Sequence, residues 1–158
     1  FANIFKYNLE LLKTFKGIGD ISAITLLVEI GNIDKFCKPQ QLVAFFGVDP
    51  GINQSGNFSS DCNKMSKRGT KVGRRALYAI ALASIRTNKN KVPINQVIYE
   101  YYHISLDKKK KKVKLVAVMN KLLRYIFSVL KNQKPYEIRN PKIHKRMFLE
   151  SKPSLQSA

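Results

Sequence analysis

Ser55 stands immediately before Gly56, and Ser66 immediately before Lys67, Arg68 and Gly69, with Arg74 and Arg75 a turn further on. A serine can attack a phosphodiester only when its hydroxyl is exposed on a positioned turn, its proton has an acceptor, and the phosphate charge is neutralised. Gly56 frees the backbone beside Ser55 and opens space around that hydroxyl. Arg68, Arg74 and Arg75 form the natural clamp, because guanidinium forks grip phosphate oxygens bidentately. A plainer reading stands beside this one: serine and glycine are turn formers, and loop cations are commonly solvated. Residue types alone leave both open.

A second candidate lies nearer the start. Lys16-Gly17-Ile18-Gly19-Asp20 separates two apolar helical patterns, the layout of a helix-hairpin-helix. In such a turn Gly17 and Gly19 let the backbone approach a phosphate, N–H groups at the next helix start point at it, and Lys13 and Lys16 add charge. The alternative is a plain helical hairpin whose glycines serve packing. Lys108 to Lys112, with Lys109 and Lys110 inside it, could grip a nucleic-acid backbone or simply be a solvated run before a helix. Tyr99, Tyr101 and Tyr102 could stack on bases, but read more naturally as packing residues.

These residues sit in a chain of 158 residues with 29 Lys+Arg against 10 Asp+Glu, a formal charge of +19. Such an excess repels itself in a compact fold, and a polyanion is its natural partner. Nucleic acid is the expected one. An anionic membrane surface is the weaker candidate, since no apolar run approaches the ~18 residues of a spanning helix. The N-terminus lacks a signal-peptide layout, and the expected location is cytoplasmic. Cys37, Cys62, His103 and His144 have no zinc-ligand spacing, and the acidic residues form no metal constellation, so no metal site is expected in this chain.

The elements that must position these groups read as mainly helical. Phe5, Leu9 and Leu12 have helical spacing; Ile21 to Ile30 forms a second helix closed by Gly31; Pro39 opens a third that ends at Gly47. From 49 to 69 the pattern breaks into an irregular loop or short hairpin. Regularity returns at Arg74, with Leu77, Ile80, Ala81 and Ser84 on one face, and a Tyr-rich helix follows near Gln96 to Tyr102. A long helix from Val113 to Lys131 places Val116, Met119, Leu123, Ile126 and Leu130 on one face and Lys114, Lys121 and Lys131 elsewhere. The expected organisation is residues 1–12 as the end of a connecting helix, one compact helical domain over 13–136, and a basic tail over 137–158.

Four blocks carry a family likeness: GIGDISAITLLVEIG, FCKPQQLVAFFGVDPGINQSG, MSKRGTKVGRRALYAIA and KVKLVAVMNKLLRYIFSVLKNQKPY. In this order, from about Leu11 to Tyr136, the chain resembles the C-terminal transposase domain of insertion-sequence family one hundred and ten, which includes the Piv and MooV-type DNA invertases. The resemblance implies a recombinase that moves DNA through a phosphoserine intermediate, guided by a structured bridge RNA that pairs with target and donor DNA. Family members assemble as multimers on DNA. The serine of the Q-S-G block maps to Ser55, implied as the nucleophile, and that of the S-K-R-G block to Ser66, implied as a neighbour and the alternative. Family members also carry an N-terminal RuvC-like domain with a D-E-D-D magnesium site, and no such segment is present here. With Phe1 in place of Met, the chain is read as the C-terminal part of a longer protein. On that reading magnesium belongs to the other domain, and the fragment alone binds nucleic acid without recombining it. The competing reading is a non-catalytic helix-hairpin-helix module for DNA or RNA.

Overall fold

The computed structural model describes residues 2–50, 54–55, 58–59 and 65–138, of which 54–55 and 58–59 are described by their backbone only. Helix α1 spans Ala2–Lys13, α2 Asp20–Ile30 and α3 Pro39–Phe46. A two-rung hairpin follows, with β1 at Gln54–Ser55 and β2 at Phe58–Ser59. The chain returns to helix in α4 (Lys71–Ser84), α5 (Gln96–Glu100) and α6 (Lys111–Asn132). A 3-10 turn at Ile33–Lys35 and a π-helical turn at Tyr101–Ser105 complete it. The fold is mainly α, as its periodicity requires.

The longest helix, α6, organises the core. Helices α1, α3 and α4 pack on it, and α2 packs on α1 and α4. Leu12, Leu26, Leu42, Leu77, Ile80 and Leu122 are among the side chains almost wholly removed from water. Each such side chain contributes about 1.5–3 kcal/mol relative to exposure. The segment after α6 turns back onto the α1–α2 turn: Tyr136 N–H donates to Thr14 Oγ1 at 2.7 Å, and the Tyr136 ring lies 4.2 Å from that of Phe15.

Local chemistry sets the helix ends. At α3, Pro39 occupies the first turn, and Gln41 Oε1 accepts from the N–H groups of Cys37 and Lys38 at 2.6 and 3.2 Å. Gly47 ends that helix at φ +65°, in the left-handed region. At α4, Thr70 Oγ1 accepts from Gly73 N–H at 3.0 Å and donates to Glu29 Oε2 at 2.7 Å, tying the helix start to α2.

Three expectations change. Helix α4 begins at Lys71, not Arg74, because Thr70 caps it and the ring of Phe46 fills the space a side chain at Gly73 would need. Lys114, expected away from the apolar face, is nevertheless buried, its ammonium 3.7 Å from Asp107 and 5.1 Å from the centre of the Tyr102 ring. Val116 is only half buried; the seam of α6 runs instead through Leu115, Val118, Leu122 and Val129, alongside Met119, Leu123, Ile126 and Leu130. Tyr101 and Tyr102 pack against the core, as their packing role suggests.

Candidate nucleic-acid interface

The S-K-R-G segment is locked onto the end of α3. Ser66 N–H donates to the Asp49 carbonyl at 2.9 Å, and Lys67 N–H to the Gly47 carbonyl at 3.0 Å. The Ser66 hydroxyl donates to the Asp49 carboxylate. Lys67 holds a left-handed backbone, φ +56°. Neither Gly47 nor Gly69 could carry a side chain: a Cβ on Gly47 would meet the backbone of Lys67–Gly69, and one on Gly69 the backbone of Phe45 and Phe46. Pro50 and Met65 bridge antiparallel just outside this lock, and beyond them Gln54 pairs with Ser59 and Ser55 with Phe58. The segment that carries Ser55 thus leaves and re-enters the described fold at the bridged pair Pro50 and Met65. The side chain of Ser55 itself lies outside the described residues.

Arg74 holds the lock shut from below. Its Nη1 donates to the carbonyls of Lys67 (3.2 Å), Phe46 (3.4 Å) and Gly69. That nitrogen is committed within the protein, so the fork is not wholly free for a phosphate. Lys67, Arg68 and Arg75 are exposed, and their side chains make no hydrogen bond or ion pair with another described residue.

The glycine turn sits elsewhere. Gly17 has φ +117°, and a Cβ there would collide with Ser84, the last residue of α4. Gly17 thus permits a close helix approach, and Ser84 Oγ is buried without a hydrogen-bond partner among the described residues. Gly19 caps α2 in an extended conformation with open space around it. Lys13 is paired with Asp20 (2.9 Å) and Glu10 (3.4 Å), and the Asp20 hydrogen bond, followed by the carboxylate charges, holds its pKa above the ordinary lysine value. Asp20 thus sets a carboxylate in the first turn of α2, where a phosphate would approach. Lys16 is exposed and unpaired among the described residues. Since α4 rises ~1.5 Å per residue, its two ends put this turn and the S-K-R-G segment roughly 20 Å apart. They are separate surfaces.

Between the starts of α4 and α6 lies an open groove of about 600 Å³. Lys71, Arg74 and Arg75 line it from α4, and Lys112 faces them from α6. Its floor is apolar, made by Met65, Leu115, Val116 and Met119 with Tyr78 beside them. Among the described residues no carboxylate lines it. Sequence reasoning missed this groove, although Lys71, Arg75 and Tyr78 at i, i+4 and i+7 share one helix face. Lys109 and Lys110 precede Lys112, exposed, and do not line it.

Among the described residues no group of three His, Cys, Asp or Glu side chains could hold a metal ion. Nor is any described helix long and apolar enough to cross a membrane.

With this arrangement in view, the comparisons with known proteins fall into place. The model of the transposase IS116/IS110/IS902 family matches residues 9–99, more than half of the chain, and the chain belongs to that family. It is 28% identical over 133 residues to the pilin gene-inverting protein of Moraxella lacunata, covering 84% of this chain and 40% of that protein. It is likewise 28% identical over 127 residues to the transposase for insertion sequence element IS1111A of Coxiella burnetii, covering 80% of this chain and 34% of the relative. The chain therefore spans well under half the length of the curated relatives it matches.

Proposed function

We propose that this chain is the DNA-binding, nucleophile-bearing part of an insertion-sequence transposase, with Ser55 as the nucleophile. The observation that carries this reading is the family match over residues 9–99, which takes in both the Ser55 and the Ser66 segments. The locked S-K-R-G segment and Lys67, Arg68 and Arg75, unpaired among the described residues, suit a strand held against a serine.

The chemistry is a transesterification. The serine Oγ bonds to phosphorus as the bond from phosphorus to one deoxyribose oxygen breaks. The serine proton passes to a base, and the departing sugar oxygen takes up a proton. One phosphate ester replaces another, so the link can later be passed to a new DNA end without an external energy source. The cations hold the charge that grows on the phosphate oxygens. A bridge RNA choosing the sites, magnesium carboxylates supplied by a further domain, and assembly as a homo-oligomer belong to the same reading.

One observation favours a second assignment within it. Ser66 already donates its hydroxyl to the Asp49 carboxylate, the arrangement of a nucleophile with a base at hand. The test is to trap the covalent DNA adduct with full-length protein, guide RNA and magnesium, in Ser55→Ala and Ser66→Ala variants. The expected result is loss of the adduct in Ser55→Ala and its retention, at reduced yield, in Ser66→Ala. The reverse pattern makes Ser66 the nucleophile, and an adduct surviving both substitutions removes the serine mechanism.

A further inference from the structure

We infer that the groove between α4 and α6 is a binding site for an unstacked nucleotide of a single strand, its base against Tyr78, Val116 and Met119 and its phosphates on Lys71, Arg75 and Lys112. This rests on the reading that the chain handles nucleic acid, and adds where and in what form it does so.

The composition of the groove selects the ligand. A duplex presents phosphates and sugars on its outside, and an apolar floor would be stripped of water against them for no gain. An unstacked base has an apolar face that such a floor can cover and a charged backbone that the rim can hold. Tyr78 is 46% exposed, so its ring is available to a ligand. Lys71, Arg75 and Lys112 make no ion pair with another described residue, and among the described residues no carboxylate lines the groove to compete with a phosphate. The volume of about 600 Å³ falls within the ~300–1,000 Å³ common for small-molecule sites. Arg74, committed to the loop carbonyls, fixes the wall nearest the S-K-R-G segment. A strand lying in the groove would therefore run past Ser66 and the base of the hairpin.

The strand could be DNA opened during recombination or the unpaired part of an RNA; both offer the same nucleoside phosphate. The experiment measures affinity of the full chain by anisotropy for single-stranded DNA, single-stranded RNA, a duplex, and a base-free deoxyribose-phosphate strand of equal length. Base-bearing strands are expected to bind about 5- to 100-fold tighter than the base-free strand, the range that stacking of a base on an aromatic ring supplies. Tyr78→Ala should erase that advantage and lower the ratio of single-strand to duplex affinity by a similar factor. Because Tyr78 is exposed, the variant should keep its helical circular dichroism. Paired Arg75→Gln and Lys112→Gln substitutions should weaken all strands and reduce the salt slope by roughly two phosphate contacts. Whichever of DNA or RNA shows the larger Tyr78 effect is the natural strand. Binding to nucleic acid that is indifferent to the bases and to Tyr78→Ala overturns the groove assignment while leaving the proposed function in place. Failure to bind any of the four probes overturns both.

Discussion

Gly69 has no side chain because the backbone of Phe45 and Phe46 stands where one would go, while Gly19, in the other glycine-containing turn, has nothing within reach. The two glycines therefore differ in what replacing them does. Gly69→Ala should cost about 1–3 kcal/mol in chemical denaturation, the scale of forced overpacking. Gly19→Ala should cost less than about 1 kcal/mol, the difference between a tolerated and a poor helix cap. Arg74 can be judged the same way. Its Nη1 alone donates to three loop carbonyls, so Arg74→Ala should destabilise the fold by about 1–2 kcal/mol, through lost hydrogen bonds rather than lost charge. Burial, reinforced by the neighbouring Tyr136 and Tyr101, pushes the Tyr125 hydroxyl up to about 12 from the ordinary 10.0. The folded protein then keeps a proton that the unfolded chain has lost between those values. The neutral tyrosine's contribution to stability is complete below pH ~10 and drains away as the pH rises toward 12. A titration of tyrosinate absorbance should show at least one tyrosine ionising only near the top of that range, with the denaturation midpoint falling as it does so.

At the scale of elements, Thr70 joins two helices through one oxygen, capping α4 and donating to Glu29 on α2. Thr70→Ala should therefore cost about 1–2 kcal/mol, the upper part of the range for a cap, and Thr70→Ser should restore most of it. The helices whose ends carry local signals were legible from sequence: Pro39 and Gly47 bound α3, and Gly31 closes α2. The start of α4 was not, because Gly73 looks like a helix breaker until the Phe46 ring is seen packed where its side chain would be. The burial of Lys114 was not legible, because its partners, Asp107 and Tyr102, come from the preceding turn and only a fold brings them over it. The groove was hidden for the same reason. Lys112 and Lys71 are distant in sequence, and nothing local says that the starts of α4 and α6 face each other. The internal bonds of Arg74 were hidden as well, because a guanidinium suits phosphate and carbonyl oxygens alike. The cation cluster was plain in the sequence; which of its members are spent internally was not.

For the molecule as a whole the formal charge is +19, and among the described residues Met65 and Arg74 join the S-K-R-G segment to the groove while the glycine turn lies apart. Affinity for duplex DNA should accordingly fall steeply with salt. For 6–10 phosphate contacts the loss is about 10³- to 10⁵-fold between 50 and 200 mM, and a flat response would argue against phosphate-dominated contact. Charge alone, however, suits any polyanion binder. What separates a recombinase from a binding module is whether a serine in this chain becomes covalently joined to DNA. The most direct measurement is to trap the reaction of the full-length protein with its DNA, guide RNA and magnesium, digest the adduct, and locate the phosphoryl group by mass spectrometry. The account predicts the phosphate on Ser55, in the hairpin above the locked S-K-R-G segment. A phosphate on any residue outside the Ser55 and Ser66 segments, or no covalent adduct under conditions in which the full-length protein recombines DNA, would contradict it.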